Sequence, residues 1–461
     1  MTISLDLSNG DSVSCCIEEG CFMGLFNQFP FTNFHELNLD WLINEVKTLK
    51  DRIDNEKTTS TIGIKNVLDF GAVGDGVADD SKAFQDAADS GFDIYVPTDK
   101  GQIYLIKNTI NIHTRNQCWF SDPSTHPLRA SGHISYTGSF ACFAANTCYL
   151  TFSNLMLTYD GSAENVAAFY INGSSTENNN DSTIYGCRVV SFPKAVVTYG
   201  RGVRIINNLF FECNGAIDLY YDFSYGGIGV LQNSLGYRAF FIVDNRFHNC
   251  KSYIVKNWSN SIYQITIARN IVDGGAGDPS YYLVSAGGTI RGCIITDNYI
   301  MTGFGILTSS NTVSDSIISN NILDYPNTAT SGAGPVAIAL RSSCSNLNIS
   351  NNLFSHAGGT IQITGASNKN IIVNGNTFIA CGTTYGSTYF AVRFNDPNAI
   401  FTVVNNSFVP PDDFSTAYIA FSSTAINAKN SQIIGNSGPA GVKANHSVIT
   451  AGDGSSFQTL V

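Results

Sequence analysis

The chain has 461 residues, and its 36 acidic side chains outnumber its 25 lysines and arginines, for a formal net charge of −11 at pH 7. This balance argues against nucleic acid and anionic membrane surfaces as partners, and no stretch reaches the length of a membrane-spanning helix, so no membrane insertion is expected. No Gly-rich phosphate loop, Cys-x-x-Cys pair or His-x-x-x-His pair occurs, so we expect no metal and no other cofactor.

Residues 1–60 are the first predicted segment, and they lie outside the repeat described below. Five apolar side chains there step by three and four positions, as in a coiled-coil seam: Leu39, Leu42, Val46, Leu49 and Ile53. The run covers about two heptads, which is too short to be stable alone. It is either an amphipathic helix packed on the rest of the chain or a short parallel bundle along a symmetry axis. Residues 55–60 are predicted to be a linker.

The phrase NFHELNLDWLI, residues 33–43, resembles the N-terminal anchor of tail and appendage proteins from short-tailed phages of Gram-positive gut bacteria. In those proteins such a phrase precedes a variable receptor-binding body. The resemblance implies that residues 1–60 dock onto other tail or collar proteins of a virion. The remainder would then project toward the host, and the chain would be made in the host cytoplasm.

A tight turn and a short helix are predicted in the second segment, residues 61–115. The two glycines around Asp75 favour the turn, and Asp80 or Ser81 can cap a helix that runs through Phe84. The segment is therefore predicted to form a cap and the first coils of the body that follows.

This stretch, NVLDFGAVGDGVADDSKAFQDAADSG at residues 66–91, is followed by IYVPTDKGQIYLI and TINI. It closely resembles the N-terminal motif of the pectate-lyase-like superfamily, a right-handed β-helix group that includes many bacteriophage tailspikes. The resemblance implies that the turn and helix cover the open end of a β-helix, where unpaired strand groups would otherwise pair with other chains. For Asp75, Asp79 and Asp80 it favours structural capping over metal binding or catalysis.

One phrase recurs through the third segment, residues 116–461: apolar-x-apolar-x-x-Asn-x-apolar. It is clearest at Asn352, Asn376 and Asn406, and successive asparagines are roughly 21 to 37 residues apart, a length typical of one supersecondary unit in a solenoid. Period-two alternation predicts that each phrase is one short strand ended by the asparagine. Weaker copies are centred on Asn208, Asn245, Asn270, Asn298, Asn321 and Asn436, and faintly on Asn154.

Asparagines that end strands at the same place predict a ladder in which each side-chain amide bonds the next. Five positions after a ladder asparagine stand Cys213, Cys250 and Cys381, which we expect to face the core. The chain is long enough to bury its own core and shows no signal peptide, so reduced thiols are favoured over disulfides. The predicted fold class is all-β, a right-handed parallel β-helix with a short N-terminal α-helical segment.

The position before each ladder asparagine should point outward, and Asp244, Arg269 and Asp297 occupy it on three consecutive coils. Because coils repeat about every 4.8 Å, the two carboxylates would be roughly 9–10 Å apart with the cation between them. This separation is at the wide edge of the range for an inverting glycosidase pair, so Asp244 and Asp297 are the first candidate catalytic pair. An exposed ion-pair ladder and a lyase with Arg269 as its base are the alternatives.

Two predicted excursions from the coils place aromatic rings beside carboxylates, a combination suited to stacking on a sugar and bonding its hydroxyls. The first contains Asp218 and Asp222, which are the alternative catalytic acids, and the second follows Asn270. The same rings could instead pack the loops onto the body. The candidate substrate-binding residues are Arg269 and the tyrosines Tyr220, Tyr221, Tyr225, Tyr281 and Tyr282.

Apolar residues also occupy an outward position, four before the ladder asparagine: Phe241, Ile294, Ile317 and Ile372. Apolar side chains on an outward face need a cover, either loops or another chain. Together with the seam in residues 39–53, they favour a homotrimer with its coils side by side.

The predicted role is that of a phage tailspike-like or appendage-like protein that binds a host surface glycan. It is either a depolymerase, hydrolase or lyase, that cleaves capsule or a teichoic-acid-like polymer, or a non-catalytic adhesin or structural virion protein. A cellular pectate-lyase-like enzyme is a third hypothesis. The absence of a secretion signal and the docking-like N-terminus count against it.

Overall fold

A computed structural model of the chain describes the following residues: 2–6, 12–16, 63–98, 101–123, 132–172, 181–198, 202–219, 237–251, 253–257, 261–274, 281–301, 304–324, 336–357, 360–381, 383–385, 388–396, 399–409, 419–421, 431–438 and 456–457. The chain divides into two compact units, residues 1–61 and 62–461. In the first unit, Thr2–Asp6 pairs antiparallel with Ser12–Cys16. The helix predicted within residues 39–53 lies outside the described residues.

The second unit is a right-handed parallel β-helix, as predicted. Each coil contributes a strand to each of three long parallel sheets, which we call A, B and C in the order in which the chain visits them. A strand lies above the strand of the preceding coil in the same sheet, so residues some 25 positions apart become neighbours. The right-handed turn is the one that parallel crossovers adopt almost without exception.

The strands of sheet A are Ile64–Asn66, Asp93–Tyr95, Cys118–Phe120, Thr151–Ser153, Thr183–Tyr185, Arg204–Ile206, Tyr237–Val243, Ile262–Ala268, Ile290–Arg291, Ile294–Thr296, Val313–Ser319, Cys344–Ser350, Lys369–Asn374, Phe401–Val404, Gln432–Ile434 and Ser456–Phe457. Those of sheet B are Asp75–Asp79, Ile103–Ile106, His133–Tyr136, Met156–Tyr159, Arg188–Val190, Leu209–Phe211, Arg246–His248, Ile271–Asp273, Tyr299–Met301, Ile322–Asp324, Leu353–Ser355, Thr377–Ile379 and Ser407–Val409. Those of sheet C are Ile110–Ile112, Ala141–Ala145, Ala167–Ile171, Lys194–Thr198, Gly215–Leu219, Tyr253–Asn257, Tyr281–Ala286, Phe304–Ser309, Ile338–Leu340, Ile361–Ile363, Val392–Phe394 and Ile419–Phe421. A small hairpin pairs Thr383–Tyr385 with Thr388–Phe390.

The recurring phrase spans a corner between two strands, so the prediction of one strand per phrase was wrong. In Cys344–Ser350, Leu347 and Ile349 point into the core, and the next strand, Leu353–Ser355, belongs to sheet B. Asn352 occupies the corner between them. The residue before it, Asn351, has a φ of 55°, and this left-handed conformation turns the chain sharply enough to start a new sheet.

Nine corner asparagines form the predicted buried ladder: Asn208, Asn245, Asn270, Asn298, Asn321, Asn352, Asn376, Asn406 and Asn436. At a typical rung, the Oδ1 atom of Asn352 accepts both the backbone N–H and the Nδ2–H of Asn321, each at 2.9 Å. Its Nδ2 atom donates to the backbone oxygen of Ile318 and to Oδ1 of Asn376. The hydrogen-bonding capacity of each amide is thereby used inside the protein, which buried polar groups require.

The ladder starts at Asn208, so the faint copy assigned to Asn154 was wrong. Asn154 has a φ of 55° and is partly exposed, which places it in the outward column, one residue before the corner. The corner positions of these earlier coils are held by buried Leu155 and Cys187. The backbone N–H of Cys187 donates to Oδ1 of Asn208 at 2.8 Å and so begins the ladder.

The interior is one continuous apolar core between the three sheets. The described cysteines are free, and Cys213, Cys250 and Cys381 are buried in it as predicted. Burial raises the pKa of the Cys381 thiol to about 11, which keeps it protonated and unreactive at neutral pH.

The cap at the start of the β-helix contains the helix Ser81–Asp89, preceded by a 3-10 turn at Val67–Phe70. Asp80 is at the N-cap position, but its carboxylate accepts the N–H groups of Val73 and Gly74 instead of capping the helix. Asp79 accepts from Ser81. These bonds tie the glycine turn to the helix, so both aspartates have structural contacts.

Asp75 accepts the N–H groups of Val77 and Ala78, and it therefore closes its own turn. The helix buries Phe84, Ala87 and Ala88 over the first coils. No helix among the described residues is long and apolar enough to cross a membrane.

Candidate functional site

The predicted outward column exists at the corner between sheets A and B. Asp244, Arg269 and Asp297 have φ values of 60°, 53° and 57° and expose their side chains on consecutive coils. Arg269 makes a two-pronged contact with Asp244, from Nε to Oδ1 at 2.7 Å and from Nη2 to Oδ2 at 2.8 Å. Asp297 accepts from the Thr296 hydroxyl at 3.0 Å.

This pairing affects what Asp244 can do chemically. The hydrogen bonds from Arg269 lower the pKa of the Asp244 carboxyl, whereas a general acid at neutral pH needs a raised pKa. Asp244 is therefore suited to remain ionised, as a base or as an ion-pair partner.

Most of the predicted loop residues lie outside the described part of the chain: Tyr220, Tyr221, Asp222 and Tyr225. For Asp218 and Tyr281 the structure describes the backbone, which lies in the sheet C strands Gly215–Leu219 and Tyr281–Ala286. Asp218 is in register with Val197 and Lys256. Tyr282 is buried on the same sheet.

A groove of about 1000 Å³ lies where the coils turn from sheet B into sheet C. It is lined by three successive turns, at residues 161–165, 191–194 and 212–215, and by the sheet C strands Tyr253–Asn257 and Tyr281–Ala286. A large concave site of this kind is the usual location for a ligand.

Charged and aromatic side chains converge in this groove. Glu164 and Glu212 supply two exposed carboxylates, and Lys194 and Lys256 supply two cations. The Lys256 ammonium lies 4.8 Å from the centre of the Tyr253 ring.

Gly215 sets the position of the Tyr253 ring. A Cβ atom at Gly215 would lie 2.6 Å from the Tyr253 hydroxyl, so only glycine leaves room for the ring to lie against the strand. The ring is only 9% exposed and lies beneath the Lys256 ammonium.

Sequence reasoning missed Glu212, although a signal for it existed. Glu212 has a φ of 56° and belongs to a second left-handed column at the corner after sheet B, with Ser191 and Asn249 on the adjacent coils. Two members of this column come directly before a core cysteine: Glu212 before Cys213, and Asn249 before Cys250. The cysteines therefore mark these positions in the sequence. Such corner residues must expose their side chains, so they are candidates for binding.

Sequence reasoning also singled out no histidine. In the structure, Nδ1 of His248 lies 2.5 Å from Asp273, which also accepts from Arg246. The His248 ring stacks on Phe211 at 5.0 Å. This cluster lies on the outer face of sheet B, and its coil adjoins that of Glu212, whose N–H donates to the His248 oxygen.

A histidine oriented by a carboxylate can accept or donate a proton at its other nitrogen. The cluster is therefore a second group capable of acid–base chemistry near the groove. Within the described residues, no group of three or more His, Cys, Asp or Glu side chains could hold a metal ion.

The outward apolar column predicted for assembly lies on the outer face of sheet A. Phe241, Ile294 and Ile317 are 37%, 40% and 40% exposed in the single chain. Ile294 and Ile317 pair directly in register and form a short apolar strip, which ends at Thr266 on one side and at Asn348 on the other. Ile271 and Ile322, on sheet B, are exposed to a similar degree.

No protein-family model and no curated protein matches this chain. The structure of DFA-IIIase from Arthrobacter chlorophenolicus A6 without its lid, in complex with GF2, matches with a TM-score of 0.51 at 14% identity, over 86% of this chain and 98% of that one. At this level of identity the match shows the shared β-helix fold alone.

Two further structures are similar at lower scores. The catalytic unit of a GH87 alpha-1,3-glucanase from Streptomyces thermodiastaticus has a TM-score of 0.45 at 15% identity, over 82% of this chain and 69% of that one. The surface protein and adhesin PfbA of Streptococcus pneumoniae has a TM-score of 0.44 at 16% identity, over 78% of this chain and all of that one.

Proposed function

We propose that this chain is the body of a tailspike-like or appendage-like receptor-binding protein that binds a polysaccharide of the host surface in the groove between sheets B and C and cleaves it there. The observation that carries the proposal is the groove itself, which is lined by two carboxylates, two lysines and the Tyr253 ring. Charged groups of this kind suit the hydroxyls of a sugar. The DFA-IIIase of the same fold was solved with GF2 bound, but the fold alone does not assign an activity.

Cleavage would use carboxylates as acid and base. Glu164 and Glu212 face the same groove, and a glycosidase needs one carboxyl to protonate the leaving oxygen and another to activate water or attack the sugar. Asp244 and Asp297 stay the alternative pair, and in that case the polymer would lie along the corner between sheets A and B.

The test is an assay of wild-type protein on purified surface polysaccharides of Gram-positive gut bacteria, with product size followed by chromatography. We expect Glu164→Gln and Glu212→Gln to lose most turnover while retaining the fold and polymer binding. Asp244→Asn and Asp297→Asn test the alternative pair, since each removes one exposed carboxylate away from the groove.

Loss of turnover in the two aspartate variants alone would move the chemistry to the corner between sheets A and B. Binding by the wild type without cleavage would support the adhesin hypothesis. A wild-type protein that binds no such polymer would contradict the proposal.

The proposed assembly is a homotrimer in which the exposed strip of Ile294 and Ile317 is covered by a neighbouring copy, with residues 1–60 docked on other virion proteins. A second copy fits because the strip is apolar, exposed and formed by adjacent coils of sheet A. Sedimentation equilibrium of the full chain should give three times the monomer mass. Replacing Ile317 by Asp should shift the distribution toward monomer, while Ile322→Asp on sheet B is the control for added charge.

A further inference from the structure

A second cavity, of about 380 Å³, lies on the outer face of sheet C, closer to the C-terminal end of the coils than the groove. Its polar lining comes from three consecutive coils: Arg341, Gln362, Thr364, Arg393 and Asn395, with Tyr282 from an earlier strand. Tyr282 is a substrate-binding candidate from the sequence, and the other residues of this lining have none of the functional roles assigned above.

Backbone register brings the two arginines toward each other. Arg393 pairs with Gln362 in the sheet, and Gln362 pairs with Ala339 on the coil before it. Arg341 lies just beyond the strand that contains Ala339. The arginines therefore stand two coils apart, about 9–10 Å between strands, with the Gln362 coil between them. Two long guanidinium side chains can bridge that distance to one ligand.

Positive charge dominates this cavity. No carboxylate occurs among the described residues that line it. The acid nearest to it in sequence, Asp396, is buried and accepts the backbone N–H of Asn368 at 2.7 Å, so its charge is engaged at another corner of the coil. Nε of Arg393 donates to Oδ1 of Asn395 at 3.0 Å, which fixes the guanidinium beside the cavity.

The cavity shares a strand with the groove. In Tyr281–Ala286, Ser285 lines the groove and Tyr282 lines the second cavity. A Cβ atom at Gly305 would lie 2.4 Å from the Tyr282 ring, so glycine lets this ring lie against the sheet. One polymer lying along sheet C can therefore contact both places.

We propose that the second cavity is a subsite for an oxyanion, a carboxylate or a phosphate, carried by an anionic glycan. Guanidinium groups bind both oxyanions through paired N–H donors, and Gln362, Thr364 and Tyr282 add neutral hydrogen-bonding groups for adjoining hydroxyls. The inference rests on the proposed function and names its substrate class. It also accounts for how a chain with a net charge of −11 binds an acidic polymer, because the basic charge is local.

The experiment measures binding of the full chain to three probes by isothermal titration calorimetry: an oligogalacturonate, an oligomer of glycerol phosphate, and a neutral maltooligosaccharide. We expect one anionic probe to bind best, with an affinity that falls as salt is added. Arg341→Gln and Arg393→Gln should each weaken that probe by about tenfold or more, and Arg341→Lys should restore binding only in part, since lysine lacks the paired donors.

Arg291→Gln is the matched control. It removes the same charge from an exposed arginine of sheet A that pairs with Asp315, so it should leave binding unchanged. Circular dichroism of each variant checks the fold. Preferential binding of the oligogalacturonate would indicate a uronate as the source of the oxyanion, and preferential binding of the glycerol phosphate oligomer would indicate a phosphate.

Equal binding of neutral and anionic probes, or equal weakening by Arg291→Gln, would overturn the inference. In that case, loss of the neutral probe in Tyr253→Ala would show that the groove still binds glycan. Failure of all three probes, with inorganic phosphate still bound by wild type and lost in both arginine variants, would support the oxyanion site and contradict the glycan function.

Discussion

The early and late coils of the β-helix close the same corner with different chemistry. Fully buried aromatic rings occur in both, from Phe84 and Trp119 in the early coils to Phe378 and Phe408 in the late ones. The late coils in addition have a buried asparagine at each corner from Asn208 to Asn436. The corner is thus filled by apolar volume in the early coils and by a hydrogen-bonded column in the late ones.

The comparison shows that the corner position tolerates either solution if the coil closes around it. Leu155 and Cys187 occupy the corner in the early coils, and both are buried as deeply as the asparagines. The two solutions differ in how a substitution destabilises the fold. A missing ring leaves a cavity, whereas a missing amide leaves buried polar groups without partners.

The largest expected effect on stability is in the early coils, at Phe152. Phe152 packs on Phe143 and Phe169, with ring centres 5.3 and 4.8 Å apart. Phe152→Ala should lower the free energy of unfolding by about 3–5 kcal/mol, because the rings around it cannot fill the space. Urea denaturation followed by circular dichroism measures this. The control Tyr149→Ala removes a ring that is 37% exposed and should cost less than about 1 kcal/mol.

Asn352→Leu should break the ladder. Both donors of Asn321 lose their acceptor, and the Ile318 oxygen loses its donor. At about 1–3 kcal/mol for each unsatisfied buried group, the total loss is about 3 kcal/mol or more. Hydrogen exchange at the Asn321 amide should accelerate before that of the backbone amides in the early coils. Asn351→Gly, one residue earlier at a φ of 55°, should be nearly neutral, and equal destabilisation by both changes would contradict the ladder's role.

Cys187→Asn should extend the ladder by one coil at little cost. The Cys187 thiol already points at the Phe152 oxygen, 3.5 Å away, which corresponds to the bond from Asn208 Nδ2 to the Ile184 oxygen. We expect a change within about 1 kcal/mol. Cys213→Asn puts the same amide at a buried position outside the ladder and should be clearly destabilising. A comparable loss for both would show that the two regions are not interchangeable at the corner.

The smallest effect is expected outside the ladder, at the ion pair of Asp244 and Arg269. Arg269→Gln removes the hydrogen bonds that lower the Asp244 pKa, so that pKa should rise toward its ordinary value. The stability from this pair is present above the ordinary aspartate pKa and is lost as pH falls through the lowered one. Carbon-13 NMR titration of the carboxyl groups measures the shift, and Asp315, paired with Arg291, should not move.

The coil architecture and the ladder were predictable because they repeat. The spacing around Asn352, Asn376 and Asn406 determines which residues face the core, and the structure confirms it. The corner within the phrase could not be predicted, because the pattern of apolar and polar residues does not distinguish an extended backbone conformation from a left-handed one. Asn154 was misplaced for the same reason, because an asparagine favours both the corner and the left-handed position before it.

The groove was less predictable, because its residues are brought together by coil stacking. Glu164 and Glu212 are 48 positions apart in sequence and come from two different turns of varying length. Asp273 and His248 meet because they are 25 positions apart, which is one coil. A search for acids and histidines at coil spacing, instead of at helix or motif spacing, would have found this pair.

The ladder also has a direction. Each of the first eight amides donates one N–H to the amide of the next coil, and all nine accept donors from the coil before, so the amide dipoles are parallel, unlike the alternating dipoles of the strands around them. Turning one amide over would set oxygen against oxygen on one side and N–H against N–H on the other. The orientation of the whole column is therefore inherited from its first donor, the backbone N–H of Cys187, and aligned neighbours polarise one another along its length.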